Sequence, residues 1–98
     1  GRPPYFRRSV VQTMGPTSGL TSGQTKGVLE ILGKGQMERV TVSALENGQV
    51  QVMTQVPGSH SGFAQYLYVL DPSGKVIQLV QYGYNAAGEL IHVHDKLP

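Results

Sequence analysis

The sequence predicts an α+β domain in which an N-terminal helix packs on a four- to five-stranded antiparallel sheet arranged as a meander. Near the N-terminus apolar residues recur with helical spacing, and from residue 37 onward the pattern changes to the two-residue alternation of strands. Short turns rich in Gly, Asn, Asp and Pro separate the alternating segments. Such turns favour strands that pair with their neighbours in the chain.

The helix is predicted over residues 21–33. Thr21, or the serine after it, can cap the first turn, and Gln24 follows Thr21 by three residues as in a capping box. Gly33 or Gly35 can end the helix. The apolar stripe consists of Val28, Leu29, Ile31 and Leu32.

Five segments with alternating apolar and polar residues are predicted strands, over residues 37–45, 49–56, 63–70, 75–84 and 89–96. Asn47-Gly48 between the first two is a strong hairpin signal. The helix would cover one face of the sheet and leave the other polar and open. The later strands are rich in glutamine and tyrosine, which favour either strand formation or ligand binding: Gln65, Tyr66, Tyr68, Gln78, Gln81, Tyr82 and Tyr84.

The composition indicates one domain. We expect residues 1–20 to form a basic N-terminal arm or short helix and residues 21–98 to form a single α+β domain. The chain has no cysteine, which excludes disulfides and thiolate metal sites. No apolar run approaches the roughly 20 residues that span a bilayer. The net charge is only +2, but Arg7 and Arg8 both lie in the arm. This basic end either binds a polyanion such as RNA or is a solvated tail.

Two of the three histidines lie two residues apart in the last predicted strand. Alternate side chains of a strand share a face, so His92 and His94 would point the same way. The third histidine, His60, lies in a Gly/Ser-rich loop between the second and third predicted strands. If that loop folds toward the last strand, His60 would meet His92 or His94.

Two imidazoles that face one phosphodiester are sufficient for RNA cleavage without a metal. One takes the proton of the ribose 2′-hydroxyl, the other protonates the departing 5′-oxygen, and a cation stabilises the phosphorane. Tyr68 or Tyr82 could donate a hydrogen bond to a phosphate oxygen. Candidate cations at the phosphorane are Arg39, Lys26, Lys34 and Lys96. The candidate RNA-binding residues are Lys26, Lys34, Lys96, Arg7 and Arg8.

Two other interpretations of the histidines remain open. They can be three unrelated surface side chains, or they can bind a metal, since three histidines are a reasonable metal site. No second metal-binding motif accompanies the His-x-His pair, so we expect no metal and no cofactor. The chain also contains no H-E-x-x-H motif, phosphate-binding loop or serine nucleophile elbow.

Residues 71–75 and 82–90 resemble a YD repeat of rearrangement-hotspot (Rhs) proteins, Tyr-x-Tyr-Asp-x-x-Gly-x-Leu, with Asn85 in place of the aspartate. Only one copy is present. Over residues 21–98 the order of helix and sheet is also similar to C-terminal toxin domains of polymorphic bacterial toxins, which ride on Rhs or contact-dependent growth-inhibition carriers. Many of those domains belong to the barnase/EndoU/colicin/RelE-like ribonuclease group.

The resemblance implies a ribonuclease-toxin-like fold and a metal-independent endoribonuclease, often directed against tRNA. It implies catalytic roles for His60, His92 and His94, with Arg39 and Tyr68 in support. It further implies a secreted or delivered antibacterial domain that acts in the cytoplasm of the target cell and has a cognate immunity protein. The alternative class is a non-catalytic binding module that docks a protein or carbohydrate on a polar Gln/Tyr sheet face.

Overall fold

A computed structural model describes residues 11–13, 19–35, 37–58 and 61–97. Within these residues one helix and six strands follow each other as β1 (Val11–Thr13), α1 (Ser22–Leu32), β2 (Arg39–Ala44), β3 (Val50–Pro57), β4 (Phe63–Leu70), β5 (Val76–Tyr84) and β6 (Leu90–Asp95). The strands form one sheet in chain order. The predicted helix and five-stranded antiparallel meander are confirmed. The short strand β1 adds a sixth strand, parallel to β2, within the segment expected to be an arm or short helix.

The helix begins as its capping residues predict. The Thr21 hydroxyl accepts from the Gln24 N–H at 3.0 Å, and the Gln24 side-chain oxygen accepts from the Thr21 N–H at 3.0 Å. Gly33 caps the C-terminal end, and its N–H donates to carbonyls of the last turn. Within the described ranges no helix is both long and apolar enough to cross a membrane.

The core lies between α1 and one side of the sheet, which we call the helix face. Strand alternation places Val42, Val52 and Tyr68 in one row across β2, β3 and β4 on that face. The buried core residues are Val28, Ile31, Met37, Val40, Val42, Val50, Val52, Tyr68 and Leu70. The opposite side, the open face, is not covered by any helix or strand of the described residues.

The buried side chain of Gln24 joins the helix to two turns. Gln24 is only 2% exposed. Its Nε2 donates to the Gly48 carbonyl at 2.8 Å and to the Asp71 carbonyl at 3.1 Å. These carbonyls belong to the β2–β3 and β4–β5 turns, so the start of α1 is held at one end of the sheet.

The two glycines inside α1 allow the helix to approach the β4–β5 turn closely. A Cβ on Gly23 would overlap the Ser73 carbonyl, and a Cβ on Gly27 would lie 2.6 Å from Leu70 Cδ2 and 2.9 Å from the Gly74 oxygen. Glycine weakens a helix by about 1 kcal/mol relative to alanine. Here the missing side chains make room for backbone that must lie against the helix.

We therefore expect Gly27→Ala to lower the free energy of unfolding, although alanine favours helix. The added methyl meets Leu70 and the Gly74 carbonyl, and such overpacking costs about 1–3 kcal/mol. The matched control is Gly33→Ala at the helix end, where the nearest atoms lie at 3.6 Å. Urea denaturation should show a loss for the first variant only; equal stability of the two variants would contradict the close approach.

The charge of Asp71 should make stability depend on pH. Its carboxylate accepts from the Ser73 hydroxyl at 2.6 Å and from the Lys75 N–H at 3.0 Å, and these two contacts, in that order, lower the pKa of Asp71. A lowered pKa stabilises the fold above the unfolded pKa, and this contribution is lost as pH falls through the folded value. Asp71→Asn should therefore unfold at a lower temperature than wild type at neutral pH, and the difference should shrink below pH about 4. A difference that stays constant with pH would contradict this role.

Candidate functional site

His92 and His94 share one face of β6, as the alternation predicts. His94 pairs with Gln81 and His92 with Gly83 on β5, and these in turn pair with Tyr66 and Ala64 on β4. The ring centroids of the two histidines are 4.9 Å apart, with an interplanar angle of 64°. Both rings therefore lie on the helix-face side of the sheet, close enough to contact one small ligand.

The helix does not extend over this part of the sheet. The fully buried strand residues of the core come from β2, β3 and β4, whereas every residue of β6 is exposed. The helix face is thus apolar and covered at one end and open at the histidine edge. Polar side chains on this open portion can reach a ligand without disrupting the core.

The ring of His92 lies directly over Gly83. A Cβ built on Gly83 would overlap the His92 imidazole. Glycine inside a strand commonly marks a place where another group approaches the backbone closely, and an aromatic ring across the strand pair can cover the exposed backbone. Sequence reasoning did not single out Gly83, although a lone glycine within an alternating segment is a signal of this kind.

A cavity of about 240 Å³ lies beside His92. It forms where the β3–β4 connection meets the β5–β6 turn, and Gly62 packs there directly against the Tyr84 carbonyl. Its lining residues are Gly58, Phe63, Ala64, Gln81, Gly83, Tyr84, Asn85, Ile91 and His92. Gly58 precedes His60 by two residues in the sequence. His60 itself lies outside the described residues, as do Arg7 and Arg8.

The predicted cations are distributed over different surfaces. The Lys96 N–H donates to the Leu79 carbonyl at 2.8 Å, which continues the β5–β6 ladder and places Lys96 on the face of His92 and His94. Arg39 lies on the open face of β2, four strands from β6, or roughly 19 Å at the usual strand spacing. Lys26 lies beside the β4–β5 turn. The structure therefore places Lys96 next to His94 on the same face, about 13 Å along the chain from His92, and places Arg39 and Lys26 elsewhere.

A second cavity on the helix face, of about 340 Å³, contains Tyr68 and Lys34. Tyr68 is only 7% exposed. Burial first, and the neighbouring Tyr66 second, raise the pKa of Tyr68. The cavity is lined by Lys34, Gly35, Met37, Thr54, Val56, Tyr66 and Tyr68. Tyr68 thus belongs to the core two strands from the histidines, and its hydroxyl stays neutral at physiological pH.

The predicted Gln/Tyr surface is divided between the two faces of the sheet. Tyr66, Tyr68 and Gln81 lie on the helix face. On the open face the Tyr84 hydroxyl donates to Gln65 at 3.1 Å, and Gln65 donates to Gln55 at 3.5 Å. The ring of Tyr84 stacks on Phe63 with centroids 4.6 Å apart. Tyr82 also lies on the open face, paired with Val93.

No family model, curated protein or solved structure matches this chain. Among the residues placed by the structure, no group of three or more His, Cys, Asp or Glu side chains is arranged to hold a metal ion. Interpretation of the site therefore depends on its own geometry.

A double-mutant cycle can test the contact between Gly83 and His92. Gly83→Ala alone should stabilise by less than the about 0.5–1 kcal/mol that alanine normally gains over glycine inside a strand, because the methyl makes the exposed His92 imidazole move away. In a His92→Ala background the same change should give the full gain, because no ring occupies that space. Urea denaturation of the four proteins gives the coupling energy. Additive effects would show that the ring does not occupy the space above Gly83.

Proposed function

We propose that this chain is a metal-independent endoribonuclease toxin domain whose site is the cavity beside His92. The observation that carries the proposal is that one cavity is lined both by His92 and by Gly58, two residues before His60 in the sequence. His94 lies next to His92, and Lys96 follows on the same face. At about 240 Å³ the cavity is smaller than the roughly 300–1,000 Å³ of drug-sized sites, which suits a phosphodiester better than a whole nucleotide.

The proposed reaction transfers two protons during attack of the ribose 2′-oxygen on phosphorus. His92 or His94 is one proton-transfer partner and His60 is the other, one as base and one as acid. The new bond joins the 2′-oxygen to phosphorus, and the bond from phosphorus to the 5′-oxygen breaks. The products are a 2′,3′-cyclic phosphate and a free 5′-hydroxyl. Lys96 supplies positive charge for the phosphorane.

We propose RNA, and tRNA in particular, as the substrate, and a cognate immunity protein as the partner that neutralises the domain. Delivery into the cytoplasm of a target cell would give it access to tRNA. The resemblance of the helix-then-sheet order to polymorphic toxin domains supports this part of the proposal, together with the basic residues in the first eight positions.

The purified chain, incubated with total tRNA in the presence of EDTA, should release fragments with 2′,3′-cyclic phosphate ends. Removal of a general acid or base typically costs about 10²–10⁴-fold in rate. His60→Ala should lower the rate by this factor, as should at least one of His92→Ala and His94→Ala. Cleavage is followed on denaturing gels. A control substrate with 2′-deoxy nucleotides should resist cleavage.

Arg39→Gln is the matched control because it removes a predicted cation on the opposite face of the sheet. We expect it to cleave like wild type. Undiminished cleavage by all three histidine variants would remove the proposed mechanism. Absence of cleavage under every condition would argue against the enzyme class.

A second candidate function is a non-catalytic binding module. The hydrogen-bonded row of Tyr84, Gln65 and Gln55, with Phe63 stacked beside it, is a flat aromatic and amide surface on the open face. Such surfaces suit a protein or carbohydrate partner. Expression of the chain in bacteria separates the candidates: a ribonuclease should arrest growth, and His92→Ala with His94→Ala should relieve the arrest, whereas a binding module should be harmless.

A further inference from the structure

We propose that the second cavity, which we call the tyrosine pocket, binds the nucleobase adjacent to the cleaved linkage, so that the substrate is single-stranded RNA with an unstacked base. The pocket is lined by Lys34, Gly35, Met37, Thr54, Val56, Tyr66 and Tyr68. This inference rests on the proposed ribonuclease function and extends it from the reaction to the class of RNA.

The pocket contains polar groups that need a partner. Thr54 is 1% exposed and Tyr68 is 7% exposed. Within the described residues, neither of these hydroxyls nor that of Tyr66 hydrogen-bonds to another protein group. A buried polar group without a partner costs free energy, and most such groups in proteins are satisfied. Three hydroxyl-bearing side chains thus line one cavity and are available to a ligand with hydrogen-bonding edges.

The remaining lining residues select a flat ligand close to a negative charge. Met37 and Val56 provide apolar walls, and the ring of Tyr66 is half-buried at the border between the core and the open part of the helix face. Nucleobases stack on exposed aromatic rings whatever their sequence. Lys34 lies at the exposed rim, where its ammonium group can contact a phosphate. A nucleotide has all three features, an aromatic face, polar edges and an anionic link.

The pocket lies in line with the histidines. Thr54, Tyr66, Gln81 and His94 are successive cross-strand partners on one face of the sheet. Tyr66 and His94 are separated by two strand spacings, or about 10 Å. This is the reach of one nucleotide from the scissile phosphate to its neighbouring base, and Gln81 lies between the two positions. A base in a duplex is stacked and paired, so it cannot enter the pocket.

Binding of an uncleavable RNA tests this inference separately from catalysis. The probe is a fluorescein-labelled single-stranded RNA with 2′-O-methyl groups throughout, titrated with the full chain and followed by fluorescence anisotropy. Loss of one stacked base weakens binding by about 5- to 160-fold. We expect this loss for Tyr66→Leu and a smaller loss, of about 2- to 10-fold, for Tyr66→Phe, which keeps the ring but removes one hydrogen-bonding hydroxyl. We also expect tighter binding of the single strand than of the same sequence as a duplex.

The matched control is Tyr82→Leu, which removes the same side chain from the opposite face of the neighbouring strand. It should bind like wild type. Lys34→Gln should reduce the slope of log affinity against log salt by about one. Because Lys34 is exposed, Lys34→Gln should fold, and it tests the pocket assignment if thermal unfolding shows that Tyr66→Leu does not fold.

Two results would overturn the pocket assignment when Tyr66→Leu folds: binding equal to that of wild type, or an equal loss of affinity in Tyr82→Leu. If Tyr66→Leu does not fold, an unchanged salt slope in Lys34→Gln would overturn it. These outcomes are distinct from failure of the ribonuclease proposal. If the protein binds RNA through Tyr66 but never cleaves it, the pocket assignment stands and the ribonuclease proposal fails. If the protein cleaves single-stranded RNA and Tyr66 is not needed, the ribonuclease proposal stands and the pocket assignment fails.

Discussion

The placement of the helix depends on one buried amide. The Gln24 side chain uses its oxygen to cap its own helix and its nitrogen to bind the carbonyls of Gly48 and Asp71. An apolar residue at this position would remove all three of these hydrogen bonds, each of which contributes about 0.5–1.5 kcal/mol. Because the two turns lie at the same end of the sheet, the amide fixes both the position and the direction of α1.

The position of the helix divides one face of the sheet into two environments. Over β2, β3 and β4 it buries valine and leucine side chains, whose removal from water is the main favourable term in folding. Over β6 nothing in the described part of the chain covers the backbone, and the side chains are exposed. Stability thus comes from one half of the face, and the other half is free to carry imidazoles that contribute little to packing.

Three tyrosines show how burial assigns different roles to the same side chain. Tyr68 is enclosed by the core, and this burial raises the pKa of its hydroxyl. Tyr84 lies on the open face and donates to Gln65. Tyr66 lies at the boundary, with part of its ring against the core and part accessible. This position gives Tyr66 both a ring held against the core and access to the second cavity.

The sequence by itself determined the helix, the five antiparallel strands and the shared face of His92 and His94. These follow from local rules: the capping pair of Thr21 and Gln24, the two-residue alternation, and glycines at positive φ in the turns. Tertiary structure alone decided which histidine lies over Gly83, that Arg39 is remote from the histidines, and that Tyr66 borders a cavity. Strand order and register bring together residues far apart in the chain, and alternation within one strand carries no information about which strand lies beside it.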